Sequence, residues 1–100
     1  MTKRTRATSI SPEVKVIVYA RDEGLCIFCK RPGNPEAHVI SRAQGGLGIE
    51  ENIITVCREC HEAMDAGKYR REFVEAAKRY LAKFYGEKDK KDLVFRKGGL

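Results

Sequence analysis

The rhythm of hydrophobic and polar positions changes several times along these 100 residues, and each change marks an element. Residues 1–10 are polar, basic and without period, and read as a flexible arm able to touch phosphates with no fold of its own. Ser11-Pro12-Glu13 has the form of a helix start, with a hydroxyl at the N-cap and proline at the first helical position, where a missing N–H costs nothing. That helix is expected over 12–23, with Gly24 as its exit. From Leu25 to Val56 no helical period persists, and Gly33, Gly45, Gly46 and Gly48 cut the stretch into short pieces. Two strands fit there, 36–41 and 53–56. The glycines between them read as positions of positive φ and not as a phosphate cradle, because no helix follows directly. A helix is expected over 58–65, ending near Gly67, and a second over 69–85. In the second, Phe73, Ala77, Tyr80, Leu81 and Phe84 recur at helical spacing and form a stripe assigned to the core. Leu93-Val94-Phe95 suits an edge strand. The pattern predicts an α+β fold in a single domain over 11–100.

A chain of this length supports one modest core. No apolar run approaches the roughly 18 residues that a membrane-spanning helix requires. The basic N-terminus lacks the apolar run of a secretory signal, so the cytoplasm is the expected location. Lys and Arg number 20 against 14 Asp and Glu, giving a net charge of +6 and a bias towards polyanionic partners. The cations Lys68, Arg70, Arg71, Lys78, Arg79 and Lys83 spread around the last helix. They read as a solvated face, with DNA-backbone contact as the alternative.

The four cysteines, Cys26, Cys29, Cys57 and Cys60, form two CxxC pairs. Two intervening residues let a tight turn aim both sulfurs at one point, and two such turns supply the tetrahedral shell that Zn²⁺ prefers. A closed four-sulfur shell leaves no open position for water, so this metal is expected to be structural. The competing account, two disulfides in an extracellular protein, requires an oxidising compartment that nothing else in the sequence indicates. By itself the pattern says zinc ribbon or treble-clef-like module, and function has to come from the residues around it.

The chain has two histidines, His38 in the first expected strand and His61 directly after Cys60. Asp65 lies four residues beyond His61 on the same helical face, where an imidazole and a carboxylate can share one divalent ion. The series Ala37-His38-Val39-Ile40-Ser41-Arg42, Gly45-Gly46, Glu51-Asn52-Ile53-Ile54 and Val56-Cys57-Arg58-Glu59-Cys60-His61 resembles the HNH family of nucleases. The namesake residues correspond to His38, Asn52 and His61, and the resemblance covers about residues 25–66.

The resemblance implies a ββα-metal core with flanking N- and C-terminal helices and hydrolysis of DNA phosphodiester bonds, nicking one strand or cutting both. His38 is the implied general base, Asn52 the brace of the loop between the strands, and His61 with Asp65 the ligands of a catalytic Mg²⁺ or Mn²⁺. Arg42 is expected at the substrate phosphate. By the same analogy the products carry 5′-phosphate and 3′-hydroxyl ends, and some compact members come from bacteriophages and act beside the DNA-packaging (terminase) machinery. The sequence departs from the family at Ala37, where an Asp, His or Glu usually helps to hold the metal. Glu36 is a substitute only if it can reach, and strand alternation points it to the side of His38. The rival function is a zinc-ribbon nucleic-acid-binding module without catalysis.

Overall fold

The computed structural model describes residues 2–96. Its order is α1 (Lys3–Thr8), α2 (Pro12–Arg21), β1 (Asn34–His38), β2 (Ile53–Val56), α3 (Arg58–Asp65) and α4 (Arg70–Tyr85), with single 3₁₀ turns at Arg42–Gln44 and Lys90–Asp92. This is an α+β fold in which a two-stranded antiparallel sheet is followed by a helix, in ββα order, with helices on either side.

The caps form as the sequence dictates. Ser11 accepts from the Val14 N–H at 3.1 Å with Pro12 at the start of α2, and Cys57 caps α3. α2 ends two residues earlier than expected, and both Glu23 and Gly24 leave it at positive φ. The arm expected at residues 1–10 is a short helix: Thr2 caps it, Thr8 is buried, and the Arg4 guanidinium donates to the carbonyls of Arg42 and Ala43. Lack of apolar period concealed it because α1 is held by backbone and polar contacts.

β1 pairs with β2 at Asn34↔Val56, Ala37↔Ile54 and His38↔Ile53, with one irregular step between Asn34 and Ala37 that accommodates Pro35. The strand expected over 36–41 therefore starts and stops early. Beyond His38 the Val39 N–H still donates to the Asn52 carbonyl at 2.9 Å, but the Ile40 N–H donates to the Asn52 side chain at 2.9 Å. A carboxamide takes over from the backbone ladder and turns the chain out of the sheet.

The core gathers Ala37, Val39, Ile54 and Val56 of the sheet region with Met64 of α3 and Ala77 and Leu81 of α4. The α4 stripe is therefore only partly core: Phe84 is 49% exposed and lies against the Arg21 guanidinium, 5.7 Å from its ring centre. Leu93–Phe95 forms no strand of its own. It clamps the glycine segment through Leu47 N–H to Leu93 O and Phe95 N–H to Gly45 O.

A buried pair fastens α2 to the rest. Arg21 bonds Asp22 at 2.7 Å and donates to the carbonyls of Glu50 and Ile53, on either side of Asn52. Asp22 also accepts from Thr55 N–H and Tyr80 O–H. Burial works to raise the Asp22 pKa, but Arg21, Tyr80 and the Thr55 N–H together hold the carboxyl below the usual carboxylate range. No helix of the described residues is long and apolar enough to cross a membrane.

Candidate active site

The four cysteine sulfurs lie within 4.8 Å of one another. Zinc–sulfur bonds of about 2.3 Å in a tetrahedron set the sulfurs roughly 3.8 Å apart, so spacing and donor set fit Zn²⁺. All four are free thiols, and Cys29 and Cys57 stand 3.5 Å apart, well beyond a disulfide bond. The Arg31 N–H and guanidinium bring the Cys29 thiol down to about 6. Burial and the neighbouring sulfurs drive Cys60 the other way. Such crowding of thiolates is what a dication relieves. Because Cys57 caps α3 and Cys60 sits in its first turn, the cluster fixes the helix that carries His61.

His38 is half-buried at the end of β1, and its Nε2 lies 2.8 Å from the Thr8 carbonyl of α1. A carbonyl only accepts, so Nε2 carries the hydrogen and the Nδ1 lone pair is free. Burial lowers the pKa of His38, the Thr8 carbonyl opposes this, and the charges of Arg42 and His61 add to the lowering. The ring is neutral at pH 7. His61 also bears on His38 by adding to the lowering, and Asp65 opposes it.

On α3, His61 Nε2 and Asp65 Oδ2 are 3.4 Å apart. Two ligands at right angles on one Mg²⁺ stand roughly 3 Å apart, so the pair can reach a single ion. Asp65 Oδ1 is 3.7 Å from the Arg70 guanidinium, which also donates to the carbonyls of Val39 and Met64. Asn52 is fully buried: its Oδ1 accepts from the Ile40 N–H, and its Nδ2 donates to the carbonyls of Ile40 at 3.2 Å and Leu47 at 2.9 Å. One side chain thus spans the loop from both ends.

Residues 26–66 match the model of the HNH endonuclease family. The matched HNH segment contains all four cysteines, His38, Asn52, His61 and Asp65, and leaves out α1, α2 and α4. No curated protein matches the chain.

Several expectations change against this geometry. Ala37 is 1% exposed and belongs to the core cluster opposite Ile54, so position 37, where the resemblance led to the expectation of a metal ligand, is a packing position. Glu36 is exposed on the strand. Of the loop glycines, Gly45 alone takes positive φ, at +86°. Gly46 and Gly48 are needed for close approach, since a Cβ would fall 1.7 Å from Ile40 O and 2.0 Å from Ser9 O. Arg42 is exposed, with its guanidinium 3.4 Å from Thr8 Oγ1 and 3.3 Å from Ser9 Oγ. Thr8 escaped the sequence, and Arg70 stood there only among the cations of the last helix, because each meets the His38 region through a backbone carbonyl 30 or more positions away.

Proposed function

We propose that the protein is a divalent-metal-dependent endonuclease that hydrolyses DNA phosphodiester bonds. The observation that carries this reading is His38: its Nε2–H is committed to the Thr8 carbonyl, so the unprotonated Nδ1 of a neutral ring is the only basic atom it can offer. A proton passes from water to His38 Nδ1 as the water oxygen attacks phosphorus and the bond to the 3′ oxygen breaks. His61 and Asp65 hold the ion, and Arg42 and Arg70 supply positive charge to the phosphate. Mg²⁺ or Mn²⁺, when bound, polarises the phosphate and neutralises charge on the leaving oxygen. Asn52 is a positioning residue that keeps the loop after His38 in place. The cysteine cluster holds a structural Zn²⁺.

Supercoiled-plasmid cleavage by wild type, His38→Ala and His61→Ala tests the reading. Cutting that requires Mg²⁺ or Mn²⁺ and falls at least about 10²-fold in His38→Ala is expected. The burial of Ala37 favours a second reading, a zinc-ribbon module that binds nucleic acid without cutting. Retention of DNA with no cleavage in any divalent metal supports that one.

A further inference from the structure

We propose that a groove between α4 and the two 3₁₀ turns is a second binding site for the phosphate backbone of duplex DNA, one that carries the strand onward from the HNH segment. The groove has a volume of about 330 Å³. Arg70, Arg71, Lys78 and Lys90 stand around it with Gln44, over a floor that includes Val39 and Val74. Residues 70, 71, 74 and 78 share one face of α4, and the two turns bring Gln44 and Lys90 to the same concavity. The sequence alone spread these cations around the helix; the fold sorts them.

Three of the four cations of the groove lack an ion-pair partner among the described residues, while Arg70 approaches Asp65. No carboxylate lines it, and among the described residues Arg71, Lys78 and Lys90 form no ion pair within 4.0 Å. Like charges drawn around a concavity repel one another, and a polyanion turns that repulsion into attraction. The neighbouring cavity of about 310 Å³ differs, because Glu51, Glu75 and Glu87 share its wall with Lys78, Arg79 and Lys88. A third depression, at Phe28, Tyr69 and Phe73, has an apolar wall and Glu72 as its one charge.

Continuity with the HNH segment comes from Arg70, which lines the groove, approaches Asp65 and donates to the carbonyl of Val39, the residue after His38. From Arg71 to Lys78 the helix advances roughly 10 Å at 1.5 Å per residue, the axial rise of about three nucleotides of one strand. The site thus suits a short run of consecutive phosphates beside the one attacked. The choice of duplex DNA rests on the nuclease reading; the anionic character of the ligand does not.

Binding of a fluorescent duplex oligonucleotide, followed by anisotropy over a series of salt concentrations with zinc-loaded protein and no Mg²⁺ or Mn²⁺, separates the two. Each phosphate contact adds about 0.9 to the salt slope. The triple variant Arg71→Gln, Lys78→Gln, Lys90→Gln is expected to flatten the slope by about 2 to 3 and to bind over tenfold more weakly at moderate salt. The charge-matched variant Lys15→Gln, Lys83→Gln, Lys88→Gln is expected to flatten it by less than about 1. Keeping the charge with Arg71→Lys, Lys78→Arg, Lys90→Arg preserves the slope, and the exposed positions leave thermal melting unchanged. Equal slopes and affinities in the two glutamine triples overturn the proposal even where the wild type cuts DNA. A fall seen with single-stranded RNA and not with duplex DNA overturns it as well. Wild-type protein that binds duplex with the groove-dependent slope but never cuts removes the nuclease reading and leaves the groove standing.

Discussion

Replacing Asn52 by alanine tests how much of the fold passes through one buried side chain. The substitution strands the Ile40 N–H and carbonyl in a buried region and the part-buried Leu47 carbonyl beside them. A net intramolecular hydrogen bond is worth about 1 kcal/mol, and a buried polar group left without a partner costs about 1–3 kcal/mol. Two buried groups, one part-buried group and a small cavity put the loss near 4 kcal/mol, a large fraction of the stability of a domain of this size. Among the described residues Thr55 Oγ1 is the lone buried side-chain polar atom without a partner. At about 4–8 °C per kcal/mol for a domain of this length, the melting temperature should fall by roughly 15 °C or more. Asn52→Asp should be no better, since it points a second oxygen at two carbonyls in place of the amide donor. Urea unfolding followed by far-ultraviolet circular dichroism in excess zinc measures the loss without a tryptophan probe, which the chain lacks. A loss below about 1 kcal/mol at unchanged m refutes the argument that Asn52 replaces the backbone ladder.

Three further outcomes follow from the geometry. Because burial, with Arg42 and His61, holds the His38 pKa below its ordinary value of 6.5, the ring stays neutral and able to accept a proton down through pH 6.5. The acid limb of the cleavage rate should therefore have its midpoint below 6.5; a midpoint at or above 6.5 contradicts the burial argument. The same depression makes the fold lose stability as pH falls from 6.5 towards the folded value, where the unfolded chain binds the proton first. Chelation of zinc should abolish cooperative folding, since ligation worth about 10–16 kcal/mol in small zinc domains matches or exceeds the whole stability of such a chain. One zinc per chain by elemental analysis and loss of the native dichroism on chelation check this; a chelated protein with an unchanged melt refutes it. Gly48→Ala places a Cβ 2.0 Å from Ser9 O, so it should push α1 off the loop and free His38 Nε2 from Thr8. Imidazole nitrogen shifts should report the lost tautomer preference while cleavage drops tenfold or more.

Elements with a local cause were legible in the sequence. Ser11-Pro12 fixed the start of α2, and the spans of β2 and α3 agree with the spacing of Ile53, Val56 and the second CxxC pair. The cysteine cluster was readable because two tight turns have few ways to converge. The features that escaped depend on partners distant in the chain. α1 owes its place to Arg4 reaching Arg42 and Ala43 and to Gly48 N–H donating to Ala7 O, which no period can announce. β1 ends at His38 because the Asn52 side chain takes the Ile40 N–H two residues on, so a strand boundary was set by a side chain twelve positions beyond the residue it holds. Arg21 and Asp22, within the helix expected over 12–23, form a buried junction with Tyr80 and Thr55 that no local pattern marks.

The same geometry bears on how the proposed site divides its tasks. His38 is pinned by Thr8 from α1 and sits beside a loop that Asn52 and Arg21 grip from two directions, so the base is rigid before substrate arrives. The ion, by contrast, has only His61 and Asp65 among the described residues, since position 37 is occupied by a core methyl group that a carboxylate could replace only by entering the apolar cluster. Mg²⁺ accepts such a sparse set when water and substrate phosphate fill the remaining positions. On that reading the phosphate is itself a ligand, so metal and DNA must strengthen each other's binding by the same factor. His61 needs no ion to take up its position, because Cys57 and Cys60 anchor the first turn of α3 through the other metal. On the proposed reading zinc would fix the helix, and a catalytic ion would have only to complete the pair of His61 and Asp65, already 3.4 Å apart.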